Sequence, residues 1–226
     1  MPTPVHNAAA PDKETGFSWG RFFECRTEVR KRFPSVYKLE IKKKRSDIVM
    51  EGLKETGTGK ILDVGASDRG LAEKVKKVYP SVVYKSMDVD RAGAHDYYSL
   101  DEVDDKFDVA VLSEVIEHLS FDDGMELLGK IRGVLVPGGR IVVSTPNMHH
   151  PNRWWMDSDH RTAYSYEVLG AALLAAGFEV EKIYRVYNDQ FLKRLIRLYI
   201  TAPLHRYLDV DFAKSVVVVG VRPGKP

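Results

Sequence analysis

The sequence has one cysteine, Cys25, among its 226 residues. No disulfide framework and no cysteine-based metal site can form within the chain, a usage that fits a reducing compartment. No apolar run approaches the ~20 residues needed to span a bilayer. The opening residues, Met1 to Ala10, lack a charged segment followed by an apolar one, so no secretory signal is read and a cytoplasmic protein is expected. Strong charge of either sign is missing too. Against 34 Lys and Arg stand 32 Asp and Glu, a formal net charge of +2 that does not by itself argue for a nucleic-acid partner. No internal repeat is visible. The fingerprint Gly-x-Gly-x-x-Gly is absent, which counts against a nicotinamide-type site. What is present, 44% hydrophobic and 29% charged residues, is the composition of a globular domain able to bury a proper core.

The chain is organised around Lys60-Ile-Leu-Asp-Val-Gly-Ala-Ser-Asp-Arg-Gly70. The apolar run Ile61 to Val64 ends on Gly65, and Gly70 opens an amphipathic helix with Leu71, Val75 and Val78 on one face. A strand, a tight turn and a helix N-terminus in this order place a positive dipole end at the carboxyl edge of a sheet, where nucleotide-like ligands bind. The rest of the chain alternates in the same way. Strands are expected at 81–87, weakly at 94–97, then at 107–112, 140–145, 178–187 and 213–221. Helices are expected at 113–119, 123–135 and 166–176, the last with Ser165 as N-cap. Such alternation implies an α/β fold with a doubly wound, mostly parallel, seven-stranded sheet. The last two strands lack a helical crossover of the usual kind and are expected as an antiparallel edge pair. Before the sheet, residues 1–16 read as a disordered leader. Residues 17–58 read as added N-terminal helices forming a cap, one over Ser18 to Arg32 and one over Ser35 to Glu55. Residues 59–226 form the main domain, with an insertion at 188–212.

Four segments resemble, in order and spacing, the class I (Rossmann-like) S-adenosylmethionine-dependent methyltransferases. They are Ile61-Leu-Asp-Val-Gly65, Asp88 at 23 residues beyond Gly65, Phe107 to Leu119, and Leu135 to Asn147. The resemblance implies that Asp63, Gly65, Ala66, Ser67 and Gly70 hold the methionine part of S-adenosylmethionine. It implies that Asp88 with Val89 takes the ribose hydroxyls, that Asp96 and Tyr97 meet the adenine, and that Ser113 and Glu114 line the pocket. A carboxylate accepts from both ribose hydroxyls, and a glycine turn admits the cofactor close to the backbone. The family's glycine pattern is broken here, because Ser67 and Arg69 occupy two of its glycine positions. A serine serves there if its backbone is not left-handed.

Glu114, Glu117 and His118 stand at i, i+3 and i+4, which on a helix is one face. Two carboxylates and an imidazole can hold a hard cation such as Mg²⁺, with His150 or His160 as a further ligand. The segment resembles the ubiquinone-pathway O-methyltransferases and the small-RNA 2′-O-methyltransferases, in which it is associated with a divalent metal. Two other readings stay open: His118 as a metal-free general base, or a structural role for all three. The acceptor side is expected in the loop Pro146 to Arg161, where Asn147, His150, Arg153, Trp154, Trp155, His160 and Arg161 offer donors, charge and stacking surfaces. The two tryptophans serve equally well as packing under the loop. Residues 190–204 read as a basic amphipathic helix that docks on the domain, pairs in a homodimer or contacts a membrane surface. The expected function is methylation of an oxygen on a small-molecule, glycan or lipid-linked acceptor, such as an isoprenoid-lipid precursor. Two rivals are an RNA acceptor, using the run Lys42-Lys-Lys-Arg45, and a non-catalytic cofactor-binding scaffold.

Overall fold

A computed structural model describes residues 18–57 and 59–224; the expected leader at 1–16 lies outside them. Seven strands, β1 (Glu40–Lys42), β2 (Lys60–Val64), β3 (Val83–Met87), β4 (Phe107–Ser113), β5 (Leu135–Pro146), β6 (Glu179–Val186) and β7 (Ser215–Val221), form one sheet in the order β1-β6-β7-β5-β4-β2-β3. Pairing is parallel except at β7, which runs antiparallel to both β5 and β6. The α/β, mostly parallel, seven-stranded architecture with an antiparallel pair is as expected.

Both faces of this sheet are buried, which is why its strands read as continuous apolar runs. Leu62, Val64, Ala110, Leu112, Ile141 and Val143 enter one core. Ile61, Val109, Val111 and Val142 alternate with them into the other. Helices α1 (Trp19–Arg32), α4 (Phe121–Val134) and α5 (Tyr166–Ala175) cover the first face through Phe22, Val29, Leu128, Ile131 and Leu169. Helices α2 (Arg45–Thr56) and α3 (Gly70–Val78) cover the second through Ile48, Val49, Leu53 and Val75. Burying each such aliphatic side chain contributes about 1.5–3 kcal/mol. The Ser165 hydroxyl caps α5 by accepting from the Val168 amide at 3.2 Å, and Ser120 caps α4 by accepting from Asp123 N at 3.1 Å. Val78, expected on the buried face of α3, is exposed in the helix's last turn.

Two elements differ from expectation. The single helix over 35–55 is instead a 3-10 turn (Val36–Lys38), β1 and α2. Ser35 closes the turn by accepting from Tyr37 N, and Glu40, Ile41 and Lys42 then pair with Tyr184, Arg185 and Val186. An edge of β6 open for pairing outweighs the helix propensity of a Lys- and Glu-rich segment. The sheet therefore continues past the antiparallel pair to β1. The weak strand at 94–97 is a single bridge between Met87 and Tyr97, because the Asp96 carboxylate turns back onto β3.

Candidate active site

From β2 the chain crosses outward to β3 and returns on the other side of β2 as β4, so the topological switch point lies between β2 and β4. Gly65 leaves β2 on one side of that point, and Ser113 and Glu114 leave β4 on the other. Gly65 has φ +72°, and a Cβ built on it would lie 2.4 Å from Val115 Cγ2. Only glycine meets both demands. Its N–H and that of the buried Ala66 donate to the Met87 carbonyl at 2.8 and 3.2 Å, locking the turn to β3. Ser67 N donates to Asp88 Oδ2 at 2.8 Å, and Asp90 N donates to Asp88 Oδ1 at 3.0 Å. Burial pushes the Asp88 carboxyl up, but these backbone donors outweigh it and hold the group below the usual carboxylate range. Asp88 is thus an oriented, ionised acceptor with lone pairs to spare at the edge of the cleft. Val89 beside it is exposed. The residues at Gly65, Asp88 and Ser113 fit a ribosyl-sulfonium ligand by this chemistry.

The backbone at Ser67 and Arg69 is left-handed, with φ +44° and +58°. The condition on which a serine replaces the family's glycine is therefore not met, and the turn carries strain at two non-glycine residues. Arg69 offsets part of it by donating to the Ala94 carbonyl at 2.9 Å and lying 3.8 Å from Asp96. Gly70 N donates to Asp68 Oδ1 at 2.9 Å, opening α3. Below the turn, Asp63 is buried and accepts from Tyr84 Oη at 2.5 Å. Burial pushes its carboxyl up to about 6. Asp63 thus braces the turn from inside. Asp96 is committed likewise: it accepts from Ser86 N and Lys85 Nζ, each at 2.9 Å. Tyr97 gives its carbonyl to Asp88 N at 3.2 Å. Asp96 thereby shapes the end of β3, while the half-buried Tyr97 contributes its backbone there.

The Glu-x-x-Glu-His segment is not one helical face. Glu114 has φ +54°, and only Ile116–His118 is helical, as a 3-10 turn. Glu114 faces Arg45 at 2.8 Å and accepts from Ser144 Oγ at 2.9 Å, while Arg153 lies at 3.9 Å. Glu117 instead points inward, fully buried, and neither carboxylate oxygen has a hydrogen-bond partner. Desolvation, then the nearby Glu114 charge, push its carboxyl up to about 8; Thr145 beside it pulls the other way without reaching hydrogen-bond geometry. His160 takes the place expected of Glu114. Ligand atoms of Glu117, His118 and His160 all lie within 4.8 Å of one another.

The acceptor loop delivers His160. Arg161 N and Thr162 N donate to the Glu117 carbonyl at 2.8 and 3.0 Å, and Thr162 Oγ1 donates to the Leu119 carbonyl at 2.6 Å. The loop is thereby stitched to the 3-10 turn. The His160 ring stands 5.0 Å from His118 and 4.7 Å from Trp154. Its Nδ1 lies 2.9 Å from the Trp154 carbonyl, an acceptor, so Nδ1 is the donor there and Nε2 is left for another partner. Trp154 packs on the histidine, whereas Trp155 and Arg161 are exposed. Two expected substrate residues are engaged by the segment that precedes β7. Asn147 is buried, its amide donating to Asp211 Oδ2 and the Ala213 carbonyl. His150 packs against Phe212. Burial, then Arg197 and Arg153, push the His150 pKa down.

Two participants escaped the sequence reading. Arg45 belongs to a basic run with every appearance of a solvated face, yet it neutralises Glu114. Thr145, inside an apolar strand, flanks Glu117. Arg45 and Lys42, the latter paired with Glu40 and Glu51, remove two of the four residues that an RNA patch would use.

Residues 31–183 match the family model described as "Methyltransferase domain". No curated protein matches the sequence. Among solved structures, a SAM-dependent methyltransferase from Archaeoglobus fulgidus superposes with TM-score 0.60 at 17% identity, covering 86% of this chain and 98% of that one. The N-methyltransferase NodS from Bradyrhizobium japonicum, in complex with S-adenosyl-L-homocysteine, gives 0.54 at 14% identity, with 79% and 85% covered. The [4+2]-cyclase SpnF gives 0.56 at 17%, with 80% of each chain covered. At these identities the likenesses show the fold, which a cyclase shares; the family rests on the domain match. The chain belongs to the methyltransferase-domain family and is a class I S-adenosylmethionine-dependent methyltransferase.

Proposed function

We propose that the protein moves the methyl group of S-adenosylmethionine to a hydroxyl oxygen of a small-molecule, glycan or isoprenoid-lipid acceptor, with His118 taking the hydroxyl proton. The observation that carries this reading is the Glu117–His118–His160 cluster at the carboxyl edge, where a buried carboxylate without partners adjoins two imidazoles. A hydroxyl is the acceptor that depends most on a positioned base, because it is a weak nucleophile while it keeps its proton. The acceptor oxygen attacks the methyl carbon in line, the carbon–sulfur bond breaks, the sulfonium becomes a neutral thioether and the proton passes to a His118 ring nitrogen. The positive ring that results favours the carboxylate form of Glu117, so the two groups hold the proton as one unit. Asp88 would bind the ribose hydroxyls and the Gly65 turn the methionine part.

A second reading has a specific observation behind it: the same cluster is a set of divalent-cation ligands. Glu117 with both oxygens unpaired fits that reading, as a cation would supply the missing counter-charge. With His160 in place of Glu114, the donor set of two imidazoles and one carboxylate suits a transition metal better than Mg²⁺. Such an ion would polarise the acceptor hydroxyl. The deciding experiment is transfer of label from methyl-tritiated S-adenosylmethionine to extract fractions. His118→Ala is expected to lower turnover by about a hundredfold or more, with S-adenosylhomocysteine affinity unchanged by calorimetry. Near-wild-type turnover refutes the assignment of His118. Activity indifferent to EDTA removes the metal. Cofactor binding with no transfer to any fraction supports the scaffold reading instead.

A further inference from the structure

Between β6 and β7 the chain forms α6 (Phe191–Leu195), a π-helical turn (Ile196–Ile200) and α7 (Ala202–Tyr207), in place of the one continuous helix expected. Its inner side is anchored. Arg197 pairs with Asp189 at 2.5 Å and lies 4.0 Å over the Phe212 ring, and Tyr37 Oη donates to the His205 and Val210 carbonyls at 3.1 and 3.2 Å. Its outer side is apolar and bare. Phe191 is 72% exposed, Leu192 66%, Tyr199 73%, Ile200 68% and Tyr207 85%. Isolated exposed apolar residues are ordinary, but these five large ones within the 17 residues from Phe191 to Tyr207 mark a contact surface.

The charge around this surface has one sign. The 19 residues between Asp189 and Asp209 contain no acid. Lys193, Arg194 and Arg206 form no ion pair among the described residues. A two-fold contact between copies of the chain would set this unpaired positive charge against itself with no acid to answer it. An anionic bilayer supplies both an apolar phase and the complementary charge. No helix is long and apolar enough to cross a membrane, so the surface would lie on one.

We propose that α6, the π-helical turn and α7 dock the protein on an anionic lipid membrane, with Phe191, Tyr199, Ile200 and Tyr207 entering the headgroup boundary and Lys193 and Arg194 meeting acidic headgroups. The anchoring residues lead back to the acceptor loop. Phe212 packs on His150 at 5.6 Å, and Asp211 accepts from Asn147 Nδ2 at 2.9 Å. Docking therefore sets the bilayer on the side of the molecule where the loop Pro146–Arg161 is anchored. The cavity of about 180 Å³ under the insertion, lined by Tyr37, Arg185, His205 and Arg206, is separate from the Glu117 cluster.

The test is independent of catalysis. The full chain is sedimented with vesicles of phosphatidylcholine, and of phosphatidylcholine with about a third phosphatidylglycerol. Binding is expected to the anionic vesicles, weakening as salt is raised, and to be at least tenfold weaker with neutral ones. Replacing Lys193 and Arg194 by Gln is expected to weaken anionic binding roughly fivefold for each residue. Phe191→Ala with Tyr199→Ala is expected to weaken it further, while S-adenosylhomocysteine affinity stays unchanged as a check on folding. Equal binding to both vesicle types, no binding to either, or a concentration-dependent dimer that leaves the vesicles alone overturns the proposal.

Discussion

Gly65→Ala is the sharpest perturbation of the turn after β2. Two separate costs arise. At φ +72° an alanine bears the left-handed penalty, about 1–2 kcal/mol. The added Cβ also meets Val115 Cγ2 at 2.4 Å, where ordinary carbon contacts begin more than an ångström farther out. Val115 is β-branched and cannot rotate away freely, so overpacking adds about 1–3 kcal/mol. The sum is about 2–5 kcal/mol of folding stability. A double-mutant cycle separates the parts. Val115→Ala alone removes two half-buried methyl groups, costing about 1–2 kcal/mol. Combined with Gly65→Ala it removes the clash and leaves the backbone strain. Urea denaturation of the four proteins without ligand is expected to give a coupling of about 1–3 kcal/mol. A Gly65→Ala cost below about 1 kcal/mol, or a coupling near zero, refutes the reasoning that Val115 packs the turn shut.

Asp63 should carry a pH signature. Its carboxyl rises from 3.8 to about 6 in the fold, so between these values the folded chain binds more protons than the unfolded one and stability falls as pH rises. Asp63→Asn removes that loss, so its stability relative to wild type should improve by up to about 3 kcal/mol from pH 4 to 6.5; a constant difference in denaturation midpoints would exclude the raised pKa. Asp211→Ala leaves Arg185, almost fully buried, without its carboxylate at 3.0 Å, and is expected to cost about 3–5 kcal/mol in denaturation experiments. A loss below about 1 kcal/mol would mean that water replaces the aspartate. Ser67→Gly is expected to leave stability within about 1 kcal/mol, because relief at φ +44° offsets a freer unfolded chain, whereas Ser67→Val costs about 1–2 kcal/mol more. Equal stability of the glycine and valine variants would argue against a left-handed turn.

Most of the sheet was legible because strands buried on both faces must be apolar throughout and parallel strands must alternate with helices. The positions of Gly65, Asp88 and Ser113 at strand ends were legible for the same reason. The Glu114–Glu117–His118 grouping was misread because helical spacing was assumed where Glu114 takes a left-handed backbone. That twist sends Glu114 to Arg45 and leaves Glu117 alone in the interior. Residues 35–55 were misread because the helix-forming character of Glu40 and Lys42 is local, whereas the open edge of β6 that recruits them lies over 140 residues away.

The sequence by itself determined the α/β architecture, the family and the strand-edge position of the Gly65 turn, since periodicity and the order of motifs are properties of neighbouring residues. Only the tertiary structure decided which groups share a site. Glu117, His118 and His160 converge because loop amides bond to the Glu117 carbonyl, and burial then decides how Glu117 is charged. It also decided that the apolar side of residues 191–207 faces outward, because Arg197, Tyr37 and Phe212 hold the opposite side to the domain.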